Sequence, residues 1–126
     1  MFKRVKDLWV KALESGNFKQ TKGKMIRGKG NQTSYCCLGV LARVYAKEHG
    51  ISLKKGVVPV IKDLSEVGGD MPSDKVKNWA GITEADCDVL VILNDGGSKY
   101  SVEKAKTMPL KRHNFKEIAA HIRKEL

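Results

Sequence analysis

Cys36 occupies the position in this sequence that is best suited to nucleophilic chemistry. It precedes a predicted helix, and the unpaired N–H groups and the positive dipole at a helix N-terminus stabilise a thiolate and lower the thiol pKa. Gln20 upstream could donate a hydrogen bond to an oxyanion, and His113 or His121 downstream could act as the base. In the alternative interpretation, Cys36 and Cys37 are small buried hydrophobic residues, as free cysteines commonly are.

Phosphate binding is a second kind of chemistry, and the glycine- and lysine-rich segment 19–31 indicates it. Glycine lets the backbone approach an anion, lysine adds charge, and amide side chains can contact a base or a ribose. The segment is not a Walker A motif, because no hydroxyl residue follows its two Gly-Lys pairs. An ordinary basic hairpin would have the same composition, and Asn94 and Asp95 would serve equally well as helix-ending residues. The candidate ligand-binding residues are Gln20, Lys22, Lys24, Arg27, Tyr35, Cys36, Arg43, Asn94 and Asp95.

Positive charge is unevenly distributed along the chain, which has a formal net charge of +10. Residues 1–62 contain 14 Lys and Arg against 3 Asp and Glu, and no acidic residue lies between Glu14 and Glu48. Such a field attracts phosphate-bearing partners, either nucleotides or nucleic acid, although no helix-turn-helix or RNA-binding signature is present. A solvated surface that only keeps the protein soluble would show the same excess of charge.

Length and composition restrict the class of protein. A chain of 126 residues with 41% hydrophobic residues is expected to form one globular domain, residues 1–126. No apolar run approaches about 18 residues, so no membrane span is expected. Three cysteines without CxxC or HxxxH spacing predict neither a disulfide framework nor a metal site. We therefore expect a cytoplasmic protein with reduced thiols and no cofactor, and the sequence leaves homo-oligomerisation open.

The elements that must position these residues are mostly helical in the first half of the chain. Apolar residues at helical spacing predict a helix over Phe2–Glu14, and the apolar stretch 36–49 predicts the central helix. Between them, a glycine-rich turn predicts a small basic hairpin at about 18–35, in which Lys24–Arg27 pairs with Gln32–Tyr35. The central helix and the hairpin would bring the candidate cysteine close to the candidate lysines.

Capping signals predict three further helices in the second half of the chain. Proline suits the first helical turn, Ser, Thr, Asp and Asn suit the N-cap, and glycine suits the C-terminal end. The first of these helices is expected to open at Met71-Pro72 and to end at Gly81. The other two are expected to begin after Thr83 and after Asn114.

The remaining segments complete the predicted fold class. Ile51–Leu53 and Val57–Ile61 are expected to be extended, and Ser98–Arg112 is expected to be an irregular connector. The sequence thus predicts a mostly α fold with a minor β part (α+β). In it, about five helices surround the central helix 36–49, with the small basic hairpin at about 18–35 beside it.

Several motifs spread over most of the chain occur together: Trp9, Ala12, Leu13, Ser15, Gly16, Gln20, the run Tyr35–Leu41, Met71, Pro72, Trp79, Ala80, Gly81, Leu93, Asn94, Asp95, Phe115, Ile118, Ala119 and Ile122. In these motifs the chain resembles a family of small uncharacterised proteins that bacteriophages and mobile elements encode, with Cys-Cys-Leu-Gly-Val-Leu as the distinctive run. It departs from that family in a longer connector between Asp95 and Phe115. The resemblance implies a phage-like origin. Phage genomes encode many small proteins that neutralise host enzymes or capture host signalling nucleotides in the host cytoplasm.

Three functions are predicted from these features. The first is a phage-type accessory protein that binds an anionic, nucleotide-like ligand beside the central helix and sequesters a host defence signalling nucleotide. The second is a cysteine-nucleophile hydrolase or transferase that uses Cys36. The third is a basic protein that binds nucleic acid or inhibits a host protein.

Overall fold

The computed structural model describes residues 1–28, 32–51, 64–65, 69–96 and 112–126. Within these ranges the chain forms five helices and a two-stranded antiparallel sheet, which confirms the predicted mostly α fold with a minor β part. The predicted connector up to residue 111, the turn 29–31 and the extended segments 52–53 and 57–61 lie outside the described residues. None of the described helices has the length and apolar character that crossing a membrane requires. The elements are α1 (Lys3–Glu14), β1 (Ile26–Arg27), β2 (Ser34–Tyr35), α2 (Cys37–Glu48), α3 (Asp74–Ala80), α4 (Glu84–Asp95) and α5 (Phe115–Glu125).

Helix α2 is the centre of the fold, as predicted. Nine of its 12 residues are buried, and it contacts α1, α3, α4 and β2. A helix that is apolar around most of its circumference must be covered on several sides, which explains this position. The predicted range 36–49 exceeds the helix by one residue at each end, because Cys36 is the N-cap and His49 is the C-cap.

Helix α1 lies between α2 and α5 and therefore buries a broad face. Val5, Trp9, Val10 and Leu13 are buried, whereas Leu8 is only partly covered. The indole N–H of Trp9 donates to the Cys37 carbonyl oxygen at 2.9 Å, so its single polar atom is satisfied inside the core. The predicted apolar stripe of α5 is confirmed, and its four buried residues are Phe115, Ile118, Ala119 and Ile122.

The hairpin forms with the predicted partners but is shorter than predicted. Ile26 pairs with Tyr35 and Arg27 pairs with Ser34. The residues before Ile26 leave the hairpin and cover the start of α2, where buried Met25 accepts a hydrogen bond from the Cys36 N–H at 2.9 Å. Further back, Gln20 forms an isolated parallel bridge with Tyr35, so this segment returns along the other side of β2.

Local capping explains where helices α3 and α4 begin and where α3 ends. Ser73 is the N-cap of α3, and its side chain accepts from the Val76 N–H, so the predicted opening at Pro72 is wrong by one to two residues. A hydroxyl can accept that hydrogen bond, and proline has no side-chain acceptor. Gly81 ends α3 at φ 72°, as predicted. Thr83 caps α4, as predicted, through a full capping box.

Candidate functional site

The N-terminus of α2, where the sequence predicts an activated thiol, is closed by the protein itself. The Cys37 N–H donates to Asn94 Oδ1 at 3.1 Å, and the Gly39 N–H donates to Cys36 Sγ at 3.4 Å. An added Cβ at Gly39 would lie 1.9 Å from the Met25 carbonyl oxygen, so the segment before β1 presses directly on the helix. The donors that would attract an anion at this helix end therefore have protein partners already.

Burial gives Cys36 the opposite of the predicted reactivity. The residue is 5% exposed, and desolvation raises the pKa of its thiol to about 12, although the Gly39 and Leu38 N–H groups favour the thiolate. Cys37 is completely buried, and burial also raises its pKa well above the ordinary value. Such thiols stay protonated near neutral pH and are poor nucleophiles. The predicted lowering of the Cys36 pKa is therefore wrong, and the geometry favours the alternative of two buried hydrophobic residues.

Asn94, a candidate ligand residue, uses its whole side chain inside the protein. Its Oδ1 accepts from the Cys37 N–H at 3.1 Å and from Gln20 Nε2 at 3.0 Å. Its Nδ2 donates to the Thr21 carbonyl oxygen and to Asp95 Oδ1, both at 2.8 Å. The residue is 0% exposed. With two acceptances and two donations, the amide has no capacity left for a ligand, so its proposed role as a ligand residue is wrong.

Gln20 and Asp95 belong to the same arrangement, which we call the Asn94 network: the side chains of Gln20, Asn94 and Asp95 with the backbone groups they bind. Gln20 Nε2 also donates to the His113 carbonyl oxygen at 2.8 Å. Asp95 Oδ2 accepts from the Gly23 N–H at 3.1 Å. The network joins the segment before β1, the start of α2, the end of α4 and the residue before Asn114.

The two histidines considered as bases lie just before the start of α5 and within it. His113 meets Gln20 through its backbone carbonyl oxygen, and its N–H donates to the Leu93 carbonyl oxygen at 2.7 Å. His121 lies on α5, where burial lowers its pKa. Gln20 thus contacts the backbone of His113 directly and is linked through Asn94 to the N–H of Cys37, the residue after Cys36.

The space beside Cys36 is too small for a nucleotide. A cavity of about 10 Å³ lies there, and Lys24, Cys36, Asp70 and Asp95 are among its lining residues. That volume holds about one water molecule. Two carboxylates against one lysine also make it a poor place for a phosphate. The predicted ligand pocket at the start of α2 is therefore wrong, because the Asn94 network and the buried Met25 fill that region.

The other candidate residues are distributed over the surface. Lys22 and Lys24 are exposed on the segment that leads into the hairpin, and Arg27 is exposed on β1, where its Nε donates to the Lys22 carbonyl oxygen at 3.0 Å. Tyr35 is partly buried, and its ring meets Phe18 edge-on with centroids 5.1 Å apart. Arg43 is the candidate that the structure places at a sizeable cavity.

A groove of about 780 Å³ runs between α1 and α2, and we call it the α1–α2 groove. Its volume lies within the range of small-molecule sites, which is roughly 300–1,000 Å³. Sequence reasoning did not assign this groove, because it exists only where the two helices meet. One signal was present, since Arg43 and Lys47 stand one turn apart and share a helix face. The lining residues are Leu8, Lys11, Ala12, Ser15, Asn17, Phe18, Arg43, Val44, Lys47, Glu48 and Ile51.

Charge in the α1–α2 groove is predominantly positive. Among the described lining residues, Lys11, Arg43 and Lys47 contribute three cations, against one carboxylate from Glu48. Glu48 Oε2 is held by Arg4 at 2.9 Å, so its charge is partly compensated from outside the groove. A ligand entering here would meet these cations and, where the lining is more buried, apolar side chains such as Val44 and Leu8, which form an apolar floor.

Comparison with known proteins places the chain in a family. Residues 1–126 match the family described as a domain of unknown function, DUF8296. The chain belongs to this family. No curated protein and no solved structure matches the chain.

Membership of DUF8296 assigns no activity, so function must be argued from the residues. This DUF8296 chain has two distinct features that bear on function. The Asn94 network is buried and saturated, which makes it a structural element. The α1–α2 groove is open, cationic and large enough for a small molecule.

Proposed function

We propose that this protein binds a small anionic, nucleotide-like ligand in the α1–α2 groove. The observation that carries the proposal is the combination, in one groove of about 780 Å³, of three cationic side chains and an apolar floor. A nucleotide has the complementary form, because its phosphate is anionic and its base is a flat, largely apolar ring. The proposal keeps the predicted ligand class and moves the site away from Cys36.

The cations approach the groove from both helices. Arg43 and Lys47 are four residues apart on α2, so their Cβ atoms are about 5–6 Å apart and can share one phosphate. Lys11 comes from α1 on the other side. Within the described residues neither Lys11 nor Lys47 forms an ion pair. A phosphate here would gain charge interactions from two directions and, through the planar guanidinium of Arg43, a bidentate contact.

Apolar side chains give the groove a surface on which a base could lie. Leu8 and Ala12 of α1 face Val44 of α2 across it, and Phe18 borders it from the following segment. The Phe18 ring packs edge-on against Tyr35, and this contact limits its rotation. Ordering the ring when a ligand binds therefore costs less entropy. Burial of a base against these residues would add hydrophobic free energy to the charge interaction.

Binding without turnover is the form of this function that we favour. Among the described residues, the groove lining contains neither a cysteine nor a histidine, and the buried thiols lie elsewhere. A protein that holds a nucleotide in this way could sequester a host defence signalling nucleotide, the role suggested by the resemblance to phage-encoded proteins. Cysteine-based hydrolysis is less well supported, because Cys36 is 5% exposed.

Isothermal titration calorimetry with linear and cyclic nucleotides tests the proposal. The double variant Lys11→Gln, Lys47→Gln should weaken binding by about fivefold for each lysine, from about 1 kcal/mol of charge interaction per exposed cation. The matched control is Lys75→Gln with Lys124→Gln, which removes two exposed lysines that do not line the groove.

Three outcomes would reject the proposal. The first is that no nucleotide gives heat or a thermal shift. The second is that the control variant loses as much affinity as the groove variant, which would indicate general attraction by net charge. The third is that only DNA or RNA binds, with an affinity that falls steeply with salt, which would favour the nucleic-acid alternative.

A further inference from the structure

The two edges of the α2 face that lines the groove carry opposite charges. At about 100° per residue, Arg43 and Lys47 lie on one edge and Glu48 lies about 100–140° further round the helix. Val44 stands between them on the same face. The groove therefore has a cationic edge, an apolar strip and a carboxylate edge, in that order.

Glu48 is held in place by a contact that leaves one oxygen for a ligand. Arg4 Nη2 donates to Glu48 Oε2 at 2.9 Å, from one turn before Leu8 on α1. The Glu48 side chain is 26% exposed and lines the groove. The described contact uses Oε2, so Oε1 is the oxygen that can accept from a bound molecule. An ionised carboxylate is an acceptor only, and it repels a carbonyl oxygen placed opposite it.

We propose that Glu48 makes the groove selective for nucleotides whose base carries an exocyclic amino group, such as adenine or cytosine. The inference rests on the proposed function and names its ligand class. In a nucleotide the ribose lies between the phosphate and the base, so a phosphate at Arg43 and Lys47 puts the base edge at the carboxylate. The amino groups of adenine and cytosine donate a hydrogen bond to Glu48. Hypoxanthine and uracil present a carbonyl oxygen at the same place.

Two ligand pairs of equal charge and nearly equal shape test this selectivity. AMP and IMP differ at the amino position of the purine, and CMP and UMP differ at that of the pyrimidine. Calorimetry should give roughly tenfold tighter binding of AMP than IMP and of CMP than UMP, the effect of one hydrogen bond to a charged group at a partly exposed site. In Glu48→Gln the affinity ratios of AMP to IMP and of CMP to UMP should both fall to near one. The glutamine amide can accept from an amino group and can also donate to a carbonyl oxygen.

Two controls, a variant outside the groove and a ligand without a base, separate failure of the selectivity from failure of the proposed function. Glu125→Gln removes an exposed carboxylate outside the groove and should leave both ratios unchanged. Inorganic pyrophosphate reports on the cationic edge by itself. If pyrophosphate and all four nucleotides fail to bind, the proposed function is rejected. If they bind but AMP equals IMP and CMP equals UMP in the natural protein, or if Glu48→Gln keeps the discrimination, the selectivity is rejected and anion binding stands.

Discussion

Replacing Asn94 with alanine should destabilise the fold more than its single small side chain suggests. The substitution removes four hydrogen bonds at once, two accepted by Oδ1 and two donated by Nδ2. Gln20 keeps its bond to the His113 carbonyl oxygen, and Asp95 keeps its bond to the Gly23 N–H. The Cys37 N–H and the Thr21 carbonyl oxygen lose the partner that satisfies them.

The magnitude follows from those two backbone groups. A buried donor left without a partner costs about 1–3 kcal/mol, which applies to the Cys37 N–H, and the partly buried hydrogen bond to the Thr21 carbonyl oxygen is worth about 0.5–1.5 kcal/mol. We therefore expect a loss of about 3 kcal/mol. The Cys37 N–H is also one of the free donors of the α2 N-terminus, so the change removes a helix cap supplied by α4. Domains of this size are stable by about 5–15 kcal/mol, so the variant should lose a large share of its free energy of unfolding.

Urea denaturation followed by circular dichroism measures this loss. The matched control is Asn78→Ala, the same chemical change at an exposed position of α3, which should alter the free energy of unfolding by no more than about 0.5 kcal/mol. If Asn94→Ala loses under about 1 kcal/mol, or no more than the control, the network does not hold the fold together and the structural assignment of Asn94 is wrong.

Three further predictions concern the same end of α2. Gly39→Ala should cost at least about 2 kcal/mol, because the new Cβ would meet the Met25 carbonyl oxygen; an unchanged urea midpoint would contradict this contact. Cys36 should resist thiol reagents at pH 8 in the folded protein and react only on unfolding; labelling at the rate of a free thiol would contradict its burial. The thiol of Cys36 has a pKa of about 12 in the folded protein, so it ionises first in the unfolded chain. The free energy of unfolding therefore falls as the pH rises above about 9, by about 1.4 kcal/mol per pH unit. Between about pH 8 and 10.5, the urea midpoint of Cys36→Ser should therefore fall less than that of the natural protein. An equal fall of the two midpoints with pH would contradict this.

Local signals were sufficient to predict most of the helices. Thr83 and Asn114 each form a capping box with an acidic residue three positions later, so short stretches of sequence contain everything that starts those helices. The central position of α2 followed from its apolar composition alone. The start of α3 was misplaced because proline and serine both suit a helix start, and the hydroxyl of Ser73 made the hydrogen bond that decides it.

The candidate site could not be predicted in the same way, because it depends on contacts between distant parts of the chain. Gln20 and Asn94 are 74 positions apart, and no local pattern shows that their amides are bonded. For Cys36, the helix dipole was a local argument for a lowered pKa, whereas its burial is a property of the whole fold and outweighs the dipole. Lys11 lies on α1 and becomes a neighbour of Arg43 only when α1 packs on α2.

The residues selected from the sequence thus divide into two groups with different roles. Gln20, Asn94 and Asp95 were predicted to bind a ligand, but their polar groups bind one another and the protein's own backbone. Arg43 was selected for its charge, and it lies at the groove that suits a ligand. Polar residues that could bind a nucleotide can equally hold a loop against a helix, and only tertiary structure distinguishes the two uses.

Backbone amide chemical shifts during an AMP titration provide the most direct test of where this protein binds a ligand. We expect saturable shifts at Lys11, Phe18, Arg43 and Lys47, around the α1–α2 groove, with the amide of Cys36 unchanged. Shifts concentrated at Cys36 and the Asn94 network, or none at millimolar AMP, would contradict it.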